Sequence, residues 1–325
     1  MSATEERESQ RSYHGQPVLK EPVWTWEIPT YLFTGGLAGA SAGLAYFSEL
    51  RGNELLGRRA WGISLLSVSV SPLLLSSDLG RPLRFINMLR MFKITSPMSV
   101  GSWILTASGT SIGFASAHAW LGSFPRIAKF ARPAAAFAGL PLSTYTGPLL
   151  ANTAVPVWHE ASVLLPFVFA SGAGLSAGAA GVLATPPSDA GPARRLALAG
   201  GVLELALKET MEKRLGELGE PYKRGAAARF SHASRICIAA GAALLYGRGA
   251  TSRRAAAAAG ALLCAGGLAA RWSAFKAGFQ SAADPEYVVG PQRRLIERGE
   301  RRGAARREAR VTADPAKGSP ATVVR

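Results

Sequence analysis

Residues 94–125 read ITSPMSVGSWILTASGTSIGFASAHAWLGSFP and contain no Asp, Glu, Lys or Arg. An α-helix of about 20 apolar residues crosses the hydrocarbon core of a bilayer, so this stretch is long enough for one membrane span. Its Gly and Pro content is typical of membrane helices, which tolerate both residues better than soluble helices do. Four further charge-free stretches follow the same pattern: 28–48, 60–77, 133–159 and 161–188. The sequence therefore predicts an all-α, polytopic membrane protein.

The first half of the chain predicts clear helices at about 28–49, 60–77, 97–121, 134–156 and 160–185. The second half is less apolar. Its three weaker segments bring the prediction to about eight transmembrane helices in two bundles: 196–207, 236–247 and 255–270. Six or seven spans are the alternatives, because a run of 12 residues is short for a full crossing. In the first helix, the small residues GGLAGASAG (35–43) indicate close packing against another helix.

The basic residues lie mainly outside the apolar segments. The net charge is +16, and ten Lys or Arg fall within the last 35 residues. This distribution fits anionic lipid headgroups and excludes nucleic acid as the expected partner. Both flanks of the chain are polar, so we predict an N-terminal extension (1–22), a transmembrane domain (23–285) and a basic, disordered tail (286–325).

Cysteine and histidine give no sign of a metal or redox centre in this chain. The two cysteines, Cys237 and Cys264, lie in apolar segments and form no CxxC motif. The positions of the four histidines do not allow two of them to face each other in the middle of the membrane. We therefore expect no haem, no iron–sulfur cluster and no other metal site.

Polar residues interrupt the apolar helices at one end of the predicted bundle. Glu27 opens the first helix, and Tyr31 follows one turn later on the same face. Tyr145 and Asn152 are seven residues apart in the predicted fourth helix and so share a face, while His159 follows at the next turn. Such a cluster can hold the headgroup of a lipophilic ligand. Taken singly, each residue also fits a structural role, as a carboxylate does at a helix N-terminus.

The connection between the second and third helices is unusually charged. In an eight-helix topology it lies at the same membrane face as the polar cluster, together with both chain termini. Ser96 and Pro97 are suited to capping and starting the third helix. We predict that the connection forms the rim of the pocket and a docking surface for an acidic partner, through Asp78, Arg81, Arg84, Arg90 and Lys93.

Acidic residues also occur in the weaker second half. Glu204 lies within the predicted sixth helix, where a charge costs a few kcal/mol unless it is paired or hydrated. Glu204 and Glu209 are therefore candidates for proton transfer. The alternative is that Glu204 forms a local ion pair with Lys208, four residues on.

Four separated motifs resemble those of the polysulfide reductase NrfD/PsrC family, which comprises integral-membrane subunits of molybdopterin oxidoreductases. The most specific is SDLGRPLRFINMLRMFKITSPMSVGSW (77–103). The other three occur in the expected order: YLFTGGLAGA (31–40), YTGPLLANTAVPVWHEA (145–161) and SAADPEYVVGPQRRL (281–295).

The resemblance implies a multi-pass subunit of the cell membrane that takes part in electron transport, as in anaerobic respiration. It would bind menaquinone or another quinone and exchange electrons with an iron–sulfur subunit, while a molybdenum or tungsten molybdopterin subunit carries out catalysis. Some relatives have Asn and His at the start of the first helix, where this chain has Glu27 and Tyr31; Tyr145 matches the tyrosine of the fourth helix. Two alternatives stay open: a proton-translocating or solute-transporting subunit, and a purely structural membrane anchor.

Overall fold

The computed structural model describes residues 19–78 and 87–297. This part of the chain is helical and contains no β-strand, which confirms the predicted all-α fold. Its eight long helices are α1 (Glu27–Leu50), α2 (Glu54–Asp78), α3 (Pro97–Leu121), α4 (Pro125–Thr144), α7 (Leu165–Ala184), α8 (Gly191–Leu215), α9 (Gly225–Gly247) and α10 (Arg253–Ala283). The shorter helices are α5 (Thr146–Ala151), α6 (Pro156–Glu160), a 3₁₀ helix (Gly216–Lys223) and α11 (Glu286–Glu297).

Membrane-spanning character is strongest in three of the described helices. By length and composition, α2, α7 and α10 are apolar enough to cross a bilayer. Most of the predicted N-terminal extension and of the predicted tail lies outside the described residues. Where the tail is described it is not disordered, because residues Glu286–Glu297 form α11.

The start of α3 follows the local rules for capping a helix. The Ser96 hydroxyl accepts a hydrogen bond from the Ser99 amide, and Pro97 occupies the first turn, as predicted. The helix ends at Gly122, whose φ of 67° is a left-handed conformation that glycine adopts without strain. Local sequence therefore determines both ends of α3.

Close contacts between backbones hold the first four long helices together. A Cβ atom added at Gly39 of α1 would overlap the carbonyl oxygen of Gly139 in α4. A Cβ atom added at Gly139 would likewise overlap the carbonyl oxygen of Gly39. On another side of α1, a Cβ at Gly36 would lie 3.2 Å from the Cβ of Ala173 in α7. Small residues thus let α1 pack against both neighbours, as the GGLAGASAG stretch predicts.

The last four long helices form a second bundle through similar contacts. The backbone of α8 approaches that of α7 at Gly178 and again at Gly200, where an added Cβ would overlap neighbouring main-chain atoms. The backbone of α9 approaches α10 at Gly241, close to Leu263. The bundle formed by α1–α4 and the bundle formed by α7–α10 meet mainly where α1 packs on α7.

The helices run alternately up and down, so their connections lie at two opposite ends. At one, called the Glu27 end, the Trp24 and Trp158 rings stack with centroids 5.7 Å apart, and the Trp158 indole donates to the Ala274 carbonyl at 2.8 Å. At the other, called the Arg51 end, the Asn53 side chain donates to the Asp189 carbonyl at 2.8 Å. Tertiary contacts therefore join the two bundles at both ends.

Candidate functional site

The start of α1 and the end of α2 meet at a pair of carboxylates. The Thr25 hydroxyl donates to the Glu27 carboxylate and also lies 3.4 Å from a carboxylate oxygen of Asp78. Both acidic side chains are partly buried. The structure thus brings together Glu27, predicted for the pocket, and Asp78, predicted for its rim.

Tyr31 lies one turn further into α1 and has an unusual environment. Its side chain is 1% exposed, and its hydroxyl finds no hydrogen-bond partner among the described residues. A buried tyrosine hydroxyl normally has a partner. Further along α1, the hydroxyls of Thr34 and Ser71 hydrogen-bond at 2.9 Å and join α1 to α2. Tyr31 therefore carries a buried donor that no described residue satisfies.

Tyr145 lies at the junction of α4 and α5 and keeps helical backbone dihedrals, with φ −62° and ψ −23°. The predicted helix 134–156 is instead α4, which begins at Pro125 and ends at Thr144, followed by the short α5 and α6. The Tyr145 ring packs directly on the backbone of α3, because a Cβ at Gly101 would overlap it. The Ser143 hydroxyl donates to the Gly36 carbonyl at 3.3 Å, which holds the end of α4 against α1.

Asn152 and His159 lie on the surface of the described structure. Both side chains are exposed, and the His159 Nδ1 donates to the Ala151 carbonyl at 3.2 Å across the turn between α5 and α6. The seven-residue spacing that predicted a shared face with Tyr145 assumed one continuous helix. The backbone stays helical through Tyr145 to Ala151, and the chain leaves the helix only at residues 152–155. The Tyr145 ring packs on α3, whereas the Asn152 side chain at the end of α5 is exposed.

The connection that leads into α3 is only partly described, since Arg81 and Arg84 lie outside the described residues. Arg90 and Lys93 are exposed. Between and beside them lie apolar side chains that the sequence did not single out: Met91 is 69% exposed and Ile94 79%. The surface is therefore both basic and apolar, a mixture that suits a protein partner or a membrane interface.

A buried ion pair joins two helices of the second bundle, and the sequence analysis did not identify its cation, Arg271. Arg271 of α10 places Nη1 3.5 Å from the Glu204 carboxylate, and the two side chains are 3% and 1% exposed. The Arg271 guanidinium also donates to the Phe169 carbonyl at 2.7 Å. Lys208, the alternative partner that the sequence suggested for Glu204, donates to Ser231 at 2.8 Å. The signal for Arg271 was its position as the one charge in residues 255–275.

Further ion pairs lead from Lys208 to the protein surface. Lys208 Nζ is 3.9 Å from Glu212, whose other oxygen lies 2.9 Å from Arg235. Arg235 also contacts Glu209 at 3.1 Å, and the Glu209 side chain is 47% exposed. In the 3₁₀ helix beside them, burial raises the pKa of Tyr222, so its phenol stays protonated at neutral pH.

Two helical bundles, with carboxylates and buried tyrosines at one end, define an α-helical membrane protein with a polar site near one face. A family model described as polysulfide reductase, of the NrfD type, matches residues 12–283. The chain belongs to this family, which places it among the membrane subunits of oxidoreductase complexes. A comparison with curated protein sequences finds no match.

The buried ion pair yields a stability prediction. Replacing Glu204 with Ala should lower the free energy of unfolding by about 3 to 5 kcal/mol, because Arg271 would stay buried without a counter-charge. Adding Arg271→Met should restore much of that loss. Unfolding of the purified chain in detergent measures both effects. Glu209→Ala is the control, with an expected loss of about 1 kcal/mol or less; equal losses in the single and double variants would contradict the pairing.

Proposed function

We propose that this chain is the quinone-reactive membrane subunit of a molybdopterin oxidoreductase complex, and that the quinone binds at the Glu27 end. The observation that carries the proposal is the buried Tyr31 hydroxyl, which has no partner among the described residues and lies one turn from Glu27. A quinone headgroup offers two carbonyl acceptors to such donors. Membership of the NrfD family supports the same assignment.

Each polar residue has a distinct chemical role in this proposal. A bound quinone, menaquinone being the expected type, supplies two-electron and two-proton chemistry. The phenols of Tyr31 and Tyr145 donate hydrogen bonds that orient the headgroup. The Glu27 carboxylate accepts a hydrogen bond from a quinol hydroxyl and takes its proton, as a general base does. Asp78, reached through Thr25, is the next acceptor towards the surface.

The adjoining surface fits a partner that exchanges electrons. Arg90 and Lys93 are exposed beside Met91 and Ile94 at the Glu27 end. An acidic, partly apolar face of an iron–sulfur subunit would complement this surface and place its cluster near the quinone. The molybdopterin catalytic subunit would then contact that iron–sulfur subunit.

Conservative substitutions of the two tyrosines test the site. Tyr31→Phe and Tyr145→Phe each remove one donor while keeping the ring, so we expect about tenfold weaker binding of a hydroxyquinoline inhibitor and slower quinol oxidation by the assembled complex. Tyr246→Phe is a matched control, since Tyr246 is 83% exposed near the Arg51 end. Unchanged inhibitor binding in both test variants would overturn the proposed site.

A second candidate function, proton transfer through the second bundle, rests on two neighbouring sets of ionisable residues: the buried pair of Glu204 with Arg271, and the ion pairs that begin one turn later at Lys208. Ionisable groups inside a membrane bundle often mark proton paths. In this alternative Glu204 exchanges protons with the Glu27 end by way of Lys208 and Glu212. Arg235 keeps its own protons and would hold the carboxylates of Glu212 and Glu209 close together near the surface.

Glu204→Gln separates this candidate from a structural role, because it removes the charge and keeps the shape. If Glu204 carries protons, quinol-driven pH changes in proteoliposomes containing the assembled complex should fall several-fold while quinol oxidation continues. Glu217→Gln, at an exposed position of the 3₁₀ helix, serves as the control. Normal proton movement in the Glu204 variant would leave the ion pair with a structural role alone.

A further inference from the structure

A groove open to the membrane runs between the two bundles. It has a volume of about 450 Å³ and a lining that is almost wholly apolar, which includes Gly43, Leu44, Phe47, Phe137, Leu140 and Leu196. Several of these side chains are strongly exposed on its rim, with Phe47 at 59% and Phe137 at 65%. The groove is therefore a lipid-accessible cleft and not a closed cavity.

The groove continues into a polar pocket at the Arg51 end. This pocket has a volume of about 360 Å³ and shares Leu44 and Phe47 with the groove. Its polar lining comes from Ser48 in the last turn of α1, from Arg51 and Asn53 after that helix, and from Arg195 in α8. Each volume lies in the range of about 300 to 1,000 Å³ that is typical of ligand sites. One elongated, amphipathic molecule could occupy both parts.

Three polar side chains of this pocket, Arg51, Arg195 and Ser48, have no protein partner among the described residues. The Arg51 and Arg195 side chains are exposed and form no ion pair with the described residues. The Ser48 hydroxyl belongs to a side chain that is 2% exposed, and it has no hydrogen-bond partner among those residues. No acidic side chain of the described residues lines the pocket.

Asn53 also lines the pocket, but its hydrogen bonds are already used. Its side-chain oxygen accepts from the Leu56 amide at 3.1 Å, and its nitrogen donates to the Asp189 carbonyl at 2.8 Å. Asn53 thus fixes the loop that follows α1 against the loop that precedes α8. This interaction joins the loop after α1, which carries Arg51, to the loop before α8, the helix that carries Arg195, and both arginines line the one pocket.

We propose that this cleft binds one anionic phospholipid, with an acyl chain in the groove and the phosphate between Arg51 and Arg195. Arginine is suited to phosphate because its planar donors contact two oxygens at once, and the Ser48 hydroxyl supplies a further donor. Basic pockets between membrane helices recognise anionic headgroups in this way. The bound lipid bridges α1 and α8, and so joins the two bundles at the end opposite the quinone site.

The chemistry favours this occupant over a quinone or a free phosphate. A quinone headgroup is neutral, so it would not compensate the charges of the two unpaired arginines. A soluble phosphate would leave the apolar groove unfilled, although the groove and the pocket share residues. An anionic phospholipid satisfies both the charge and the apolar lining, and its binding does not depend on the function proposed for the Glu27 end.

The test is lipid binding to the purified full-length chain, followed by native mass spectrometry in mild detergent. The double variant Arg51→Gln/Arg195→Gln should bind phosphatidylglycerol about ten- to thirtyfold more weakly than the unmodified chain. Gly43→Leu should weaken the same binding by filling the groove, because a Cβ at Gly43 meets nothing within 4 Å and the helix can accept it.

Matched controls identify the source of the affinity. Arg248→Gln/Arg254→Gln removes the same charge from exposed positions near the same end and should leave binding unchanged. Phosphatidylcholine, glycerol phosphate and a menaquinone analogue should each compete poorly with phosphatidylglycerol. The proposal is overturned if both double variants lose affinity equally, if phosphatidylcholine binds as tightly, or if the menaquinone analogue displaces the lipid from the groove.

Discussion

The close approach of α1 to its neighbours is the constraint on which the rest of the structure depends. Lipid tails are as apolar as leucine, so membrane helices associate through tight packing and polar contacts and not through hydrophobic burial. Gly39 lets α1 contact the backbone of α4, and Gly36 lets it contact α7. Because α1 belongs to the contacts of both bundles, its first turns, with Glu27 and Tyr31, are fixed relative to Tyr145.

The parts of this structure that local rules govern could be predicted from the sequence. Charge-free stretches predict the helices, Ser96 and Pro97 predict the start of α3, and small residues predict the packing face of α1. The break between α5 and α6, at residues 152–155, could not be predicted in this way, because membrane helices often contain proline without breaking. Arg271 was missed as the partner of Glu204 since the two lie on different helices, and sequence spacing does not reveal such contacts.

The two bundles carry different chemistry. The first has buried hydroxyls and tyrosines near the Glu27 end, where neutral donors suit an uncharged headgroup. The second has the buried pair of Glu204 and Arg271 and further ion pairs towards the surface, which suit charge and proton movement or a fixed helix arrangement. The cleft with Arg51 and Arg195 lies between the two bundles, at the end of the molecule opposite Glu27. In our proposals this separation keeps the quinone and the lipid at sites that do not compete.

The most direct measurement of where quinone binds is photoaffinity labelling of the purified chain with an azido-quinone, followed by peptide mapping. Binding at the Glu27 end requires labels within residues 24–34 and 142–151, and excess unlabelled menaquinone should suppress them. Labels confined to the groove residues 39–47 and 192–196, or to residues 204–235, would contradict a quinone site built from Glu27, Tyr31 and Tyr145.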